Sequence, residues 1–441
     1  MKLSRLAFSV LVALSANSAR ATDLIEVYQA AQGQDAAFAA ARASRQAGQE
    51  KQAQGRSFLM PNVNLTANST FNDINIQFPT GTRDLRYNNS GYGVSLVQPL
   101  FRQQNWMAYS SSEMQVVISE AQYQLAQHDL ILRVAQGYFD VLVAKDNVQL
   151  TEAQKQAISE QLEQAKRNFE VGTATITDTY EAQARYDLIV AQEINAQSNL
   201  EVKKRALQQI TNTSTGELRQ LGVEFKLETP QPLDADKWIE DAQLHNLQIT
   251  IADASVQLAD KEVSRSLGGH LPTLDLVANY SMNSASGGTF NGTGYGPADT
   301  TSKVVGVQLN MPLFQGGATQ SKYREADANR EKAKQDLENA RRAVAVQTRQ
   351  AYLGVASGIA QVKALQQALK SSESLLEASK LGQGVGVRTN LDVLNAQQQL
   401  FSTRRDLYQA EYNYLISRLR LKAAVGTLTD EDLKGVNQAL R

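Results

Sequence analysis

Polar and apolar residues alternate strictly after Pro61: Val63, Leu65 and Ala67 are separated by Asn62, Asn64, Thr66 and Asn68. Successive side chains of a strand point to opposite faces, so this run predicts a strand with one wet side. A second run places Tyr92, Val94 and Leu96 on one face, and Pro99, which cannot donate to a ladder, is expected to stop it. Leu274, Leu276, Ala278, Tyr280 and Met282 predict a third strand. Val305, Val307, Leu309 and Met311, with Gly306, Gln308 and Asn310 opposite, predict a fourth. A loop rich in Gly, Ser, Asn and Thr is expected over 283–302.

A longer period governs the rest of the chain. Residues 105–170 contain no proline, and Gly137 is the one glycine. Their apolar positions step by four and three through Met114, Ile118, Ala121, Leu125, His128, Leu132, Ala135, Phe139 and Leu142. That spacing predicts a coiled-coil seam on a helix about 100 Å long. A return helix over 178–211 follows the turn at Val171-Gly172-Thr173. Single helices are expected over 23–56 and 235–266. A second long helix should start after Gln315-Gly316-Gly317 and end at Gly382-Gln383-Gly384, followed by a return helix over 390–425 and a short mixed tail.

The layout occurs twice. Val171-Gly172, Asp178 and Ala182-Gln183 recur as Val385-Gly386, Asp392 and Ala396-Gln397, at a constant offset of 214 residues. Pro99-Leu100-Phe101 recurs as Pro312-Leu313-Phe314, Tyr138 as Tyr352, and Met60-Pro61 as Leu271-Pro272. An internal twofold repeat is expected, with residues 22–232 as the first copy and 233–441 as the second plus a C-terminal tail. The period is far too long for a solenoid unit.

Lys2 and Arg5, the apolar run from Leu6 to Leu14, and Ala19-Arg20-Ala21 together predict a secretory signal peptide over residues 1–21. No later run approaches the ~20 apolar residues of a membrane helix, and a mean hydropathy of −0.36 excludes an α-helical membrane protein. A β-barrel stays open, because its strands show only alternation. Four strands cannot close one, since small barrels already take about eight. Either the sheet is soluble or several chains donate strands to one barrel; export and the aromatics Phe71, Tyr92, Phe101, Tyr280 and Phe314 near the strands favour the second. The chain has no cysteine, hence no disulfide, thiolate metal site or lipid-bearing cysteine, and its formal charge of −1 argues against nucleic acid as a partner.

The motifs HLPTLDL, MPLFQGG, VGTATITD, VGVRTNLDVL and YNYLISRLRLKAAVGTL stand in order across both repeats. In these the chain resembles the TolC family of outer-membrane channel-tunnels, over essentially its whole mature length. The resemblance implies a mainly α fold with a small β part: a long antiparallel coiled-coil α-helical barrel, and four strands per chain contributing to a 12-stranded trimeric transmembrane β-barrel. It implies a homotrimer in the Gram-negative outer membrane, in contact with its lipid and with a long periplasmic extension. The expected function is a passive exit duct for type I protein secretion, multidrug efflux or both. The expected partners are a periplasmic adaptor protein and an inner-membrane ABC or proton-driven transporter. A cell-surface structural coiled coil or adhesin is the alternative, disfavoured by the strands within each repeat.

The resemblance also assigns residues. Asp392 matches a ring of aspartates lining the pore constriction, and Asn395 stands where the family carries a second one. Thr177 and Asp178 match positions linked to the equivalent of Arg388, holding the tunnel entrance shut, while Gln383 replaces a tyrosine of that network. Val171, Gly172 and Thr173, with Val385, Gly386 and Val387, match the tip turns where adaptor hairpins dock. Turn formation and helix capping by Asp178 and Asp392 account for the same residues without any partner. No enzyme and no cofactor are expected: His128, His245 and His270 are scattered without metal spacing, and Gly382-x-Gly384-x-Gly386 does not follow a strand.

Overall fold

The computed structural model describes residues 22–213, 216–222, 226–290 and 293–440, so the expected signal peptide lies outside the described residues. The helices are α1 (Leu24–Gln34), α2 (Ala36–Ser57), α3 (Gln103–Glu170), α4 (Ile176–Thr211), α5 (Ala235–His245), α6 (Leu247–Leu267), α7 (Ala318–Gly384), α8 (Asn390–Val425) and α9 (Asp430–Asn437). The strands are β1 (Asn62–Phe78), β2 (Gly81–Phe101), β3 (Thr273–Ala285), β4 (Gly288–Phe290), β5 (Thr293–Tyr295) and β6 (Ala298–Asn310). Two helices, two long strands, a very long helix and a return helix thus occur in the same order twice. Packing divides the chain into two compact units. Among the described residues, one comprises those within Ala41–Leu125 and Leu247–Val344, and the other those within Met1–Ala40, Ala126–Asn246 and Ala345–Arg441.

The first of these contains an antiparallel sheet in the order β1-β2-β3-β6. Its register aligns the apolar positions of all four strands. Val63 pairs with Leu96, Leu96 with Ala278, and Ala278 with Val305. The next row is Leu65, Val94, Tyr280 and Lys303, the lysine ammonium lying 5.9 Å from the Tyr280 ring centroid. The opposite face carries rows such as Asn64-Ser95-Asn279-Val304 and Asn68-Gly91-Asn283-Thr300. Leu65 is 73% exposed and Val305 77%, so the apolar face is uncovered within the chain. β1 and β6 are the edges of this sheet.

Three expectations are corrected here. β2 runs through Pro99 to Phe101, because the register shifts between these two residues and the missing N–H falls at that irregularity. The loop expected over 283–302 is shorter, since β3 and β6 extend into it and β4 pairs with β5 inside it. The single helices over 23–56 and 235–266 are each split, at Asp35 and Asn246. Both residues take an extended backbone while donating their N–H to a carbonyl four residues back, Ala31 at 2.8 Å and Ala242 at 2.9 Å. Asp35 then accepts from Phe38 N at 2.7 Å, and Asn246 Nδ2 donates to Ala424 O at 2.7 Å. The Asp35 side chain caps the start of α2, replacing a bond that continuation would have supplied, whereas the Asn246 side chain ties its break to the C-terminal turn of α8.

The second unit holds the main buried core. Leu130, Ile131, Val134, Ala135, Tyr138, Phe139, Val141, Leu142 and Ala144 of α3 are all buried, a band wider than a two-position seam. Its width follows from what crosses it: the Tyr138 hydroxyl lies within hydrogen-bond distance of the carbonyls of Thr22 (3.1 Å) and Arg219 (3.0 Å). Arg133 pairs with Asp35 at 3.0 Å, and the guanidinium holds that carboxyl below the usual carboxylate range.

Candidate functional site at the hairpin tips

α3 and α4 are joined by a tight turn, and so are α7 and α8, in the same geometry. Gly172 and Gly386 both have φ +77°, a left-handed conformation that costs a side chain strain. Thr173 N donates to Asn168 O at 2.8 Å and Gly172 N to Phe169 O at 3.0 Å. The second tip repeats this with Val387 N to Gly382 O at 2.8 Å and Gly386 N to Gln383 O at 3.1 Å. This pair of bonds ends a helix by satisfying its last carbonyls. It does not require apolar side chains, yet Val171 is 73% exposed and Val387 79%.

Each return helix then starts on a reciprocal cap. Thr175 N and Oγ1 donate to Asp178 Oδ2 at 2.9 and 2.8 Å, and Asp178 N donates back to Thr175 Oγ1 at 3.3 Å. Thr389 and Asp392 repeat this at 2.9, 2.9 and 3.2 Å. The capping bonds from the Thr389 amide and hydroxyl, with Arg388 at 3.6 Å, hold the Asp392 carboxyl below its usual range. It is therefore a fixed negative charge at the tip.

Within the chain the predicted site residues form pairs, not one cluster. Arg388 lies against Asp392 and not against Thr177 or Asp178. Gly382 makes that placement possible, because a Cβ there would come within 2.7 Å of Arg388 Cγ. Gln383 Nε2 donates to Asn390 Oδ1 at 3.2 Å, tying the end of α7 to the start of α8. Asn395 is engaged by a residue that sequence reasoning missed: Arg185 Nη2 donates to its Oδ1 at 2.8 Å. The two cap threonines were also missed, although a threonine three residues before an acid at a helix start is the signal for them.

α8 is anchored on two sides. Val393, Ala396 and Leu400 pack with Leu376 of α7. Leu394, 2% exposed, packs with Ile158, Leu162 and Ala165 of α3 and with Ala182 and Ile189 of α4. Among the described residues, no helix is long and apolar enough to cross a membrane, and no group of acids and histidines could hold a metal ion.

Comparison with known proteins places this architecture. The outer membrane efflux protein family matches residues 27–213 and 238–427. The outer membrane protein TolC of Escherichia coli K12 is 36% identical over 432 residues, covering 96% of this chain and 85% of that protein. The alkaline protease secretion protein AprF of Pseudomonas aeruginosa is 32% identical over 434 residues, covering 97% and 89%. The crystal structure of the Campylobacter jejuni CmeC outer membrane channel superposes with a TM-score of 0.79 at 17% identity, covering 100% of this chain and 98% of that one. With both repeats matched and a relative above 30% identity spanning nearly the whole chain, the protein belongs to the outer membrane efflux protein family.

Proposed function

We propose that three copies of this chain form a passive duct through the outer membrane. Each copy gives β1, β2, β3 and β6 to a closed 12-stranded barrel, and α3, α4, α7 and α8 to a helical tunnel in the periplasm. The observation that carries this reading is the four-stranded sheet itself. It has one exposed apolar face, a polar opposite face and two open edges, and lipid tolerates such a face only when the edges are closed. Residues 22–232 and 233–441 act as two copies of one building block, which makes twelve hairpin helices per trimer out of two kinds.

The duct is not an enzyme. It receives its cargo and its driving energy from an inner-membrane ABC or proton-driven transporter, through a periplasmic adaptor. The exposed Val171, Val385 and Val387 beside Gly172, Thr173 and Gly386 are the docking surface for that adaptor, since the turns need no apolar side chains there. Asp392 lines the constriction, with Asn395 one turn further along α8. Arg388 reaches Thr177 and Asp178 of a neighbouring protomer in the closed trimer, and Gln383 supports the tip from which it extends. A relative named for protease secretion and a structural neighbour described as an outer membrane channel support export as the activity. Purified protein added to a planar lipid bilayer should give discrete, uniform conductance steps. A folded trimer that inserts and carries no current would overturn the reading.

A further inference from the structure

One arginine spans the seam between the two hairpins of a protomer. Arg185 of α4 donates from Nη2 to Asn395 Oδ1 at 2.8 Å and from Nη1 to Gln398 Oε1 at 2.9 Å. Its two acceptors are three residues apart on α8, so they share a face, and the planar fork grips both at once. Glu181, one turn earlier on α4, lies 3.5 Å from the same guanidinium. The side chain is 24% exposed, and its inward-facing Nε has no hydrogen-bond partner among the described residues. Leu394, next to Asn395, is the apolar side chain of α8 buried against α3 and α4. A cationic fork and an apolar plug therefore hold the same stretch of α8. Beside them lies a 390 Å³ cavity whose lining includes Gln154, Gln192, Asn195, Ser402 and Arg405. The cavity opens the seam on one side of these contacts, and there the fork adds a polar restraint to the apolar one.

We propose that Arg185 is the latch between the two hairpins at the tunnel entrance, and that its charge sets ion preference at the level of Asn395. The inference rests on the duct reading above. Widening the entrance moves the α7–α8 hairpin against the α3–α4 hairpin, and the bonds from Arg185 to Asn395 and Gln398 must break for that to happen. The amides of Asn395 and Gln398 carry no charge, so Arg185 is the cation that balances the neighbouring Glu181 carboxylate, and its loss leaves that acid uncompensated near Asn395. Each protomer therefore brings an Arg185–Glu181 charge pair ~4.5 Å along the helix axis from the level of Asp392.

Single-channel recording of trimers with substitutions in the latch tests both parts. Arg185→Gln removes fork and charge together; open dwell times relative to closed should rise by about tenfold, and the reversal potential in asymmetric salt should move toward cation preference. Arg185→Lys keeps the charge and loses the fork, so the dwell ratio should rise while the reversal potential stays near that of the wild type. Asn395→Asp turns the amide contact into an ion pair and should lower the dwell ratio; in the Arg185→Gln background the same change should instead add cation preference. Should Arg185→Gln not assemble, Asn395→Leu combined with Gln398→Leu removes the acceptors while leaving Arg185 in place, and should raise the dwell ratio alike. Assembled latch variants that match the wild type in both readouts would refute the latch and leave the duct standing. A wild-type trimer without conductance would remove the duct reading itself.

Discussion

Asp146 of α3 and Glu411 of α8 share a half-buried place beside Tyr412, whose hydroxyl donates to Asp146 Oδ2 at 2.8 Å. Burial, and then the Asp146 charge, pushes the Glu411 carboxyl up to about 7. Burial raises Asp146 as well. A carboxyl whose folded pKa is raised binds its proton more tightly in the native state than in the unfolded chain. Its contribution to stability is then complete below the ordinary glutamate value and is lost as pH rises through about 7. Glu411→Gln should therefore stabilise the protein at pH 8 by up to ~2 kcal/mol and leave it unchanged at pH 4. Thermal unfolding at the two pH values checks this; an equal effect at both would place Glu411 in solvent. None of this was legible in the sequence, where Glu411 is one more acid on an amphipathic helix. Which acids face inward depends on helix neighbours that no local pattern records. Asp178 and Asp392 were legible as caps because capping is local, and their reciprocal threonines lie only three residues away.

At the scale of elements, turn chemistry was the most readable feature, because it is set by a few adjacent residues. The Val-Gly pairs at both tips mark helix ends, and the structure shows the same hydrogen bonds at each. Gly384 and Gly386 look alike in the run from Gly382 to Gly386 but do different things. Gly384 ends α7 with nothing within 4 Å of an added Cβ, whereas Gly386 sits at φ +77°. Gly386→Ala should cost ~1–2 kcal/mol and loosen the tip, while Gly384→Ala should be neutral or slightly stabilising. Limited proteolysis at the tip of each variant compares them, and equal susceptibility would show that the backbone at Gly386 is not constrained. The breaks at Asp35 and Asn246 were not legible. The flanks of both breaks favour helix, and the local cap of Asp35 on Phe38 N acts together with tertiary partners, Arg133 for Asp35 and the Ala424 carbonyl for Asn246, that no local pattern records. The long helices themselves were legible, though α3 buries a broader band than its four-three spacing indicates, because the connectors at Thr22 and Arg219 lie across it.

At the scale of the whole molecule, the four strands of the main sheet and their facing were legible from alternation and the short β4–β5 pair was not; closure was not legible either, since it depends on other copies of the chain. The register gives a way to test closure. β1 and β6 are separated by β2 and β3, which at ~4.8 Å per strand spacing sets them ~14 Å apart within one sheet. Disulfide formation needs Cα atoms within about 7 Å, so cysteines in β1 and β6 cannot join inside one copy. The chain has no cysteine of its own, so the background is silent. Pairing Leu65→Cys in β1 with Lys303→Cys, Val305→Cys or Val307→Cys in β6 keeps every introduced thiol on the apolar face and samples neighbouring registers. In a barrel closed by three chains, at least one of these combinations should give a covalent trimer on mild oxidation in the membrane. Each single-cysteine parent should stay monomeric on a denaturing gel. Conducting protein that yields only monomers with every combination would show that β1 of one copy does not meet β6 of the next, and that the two open edges are covered in some other way.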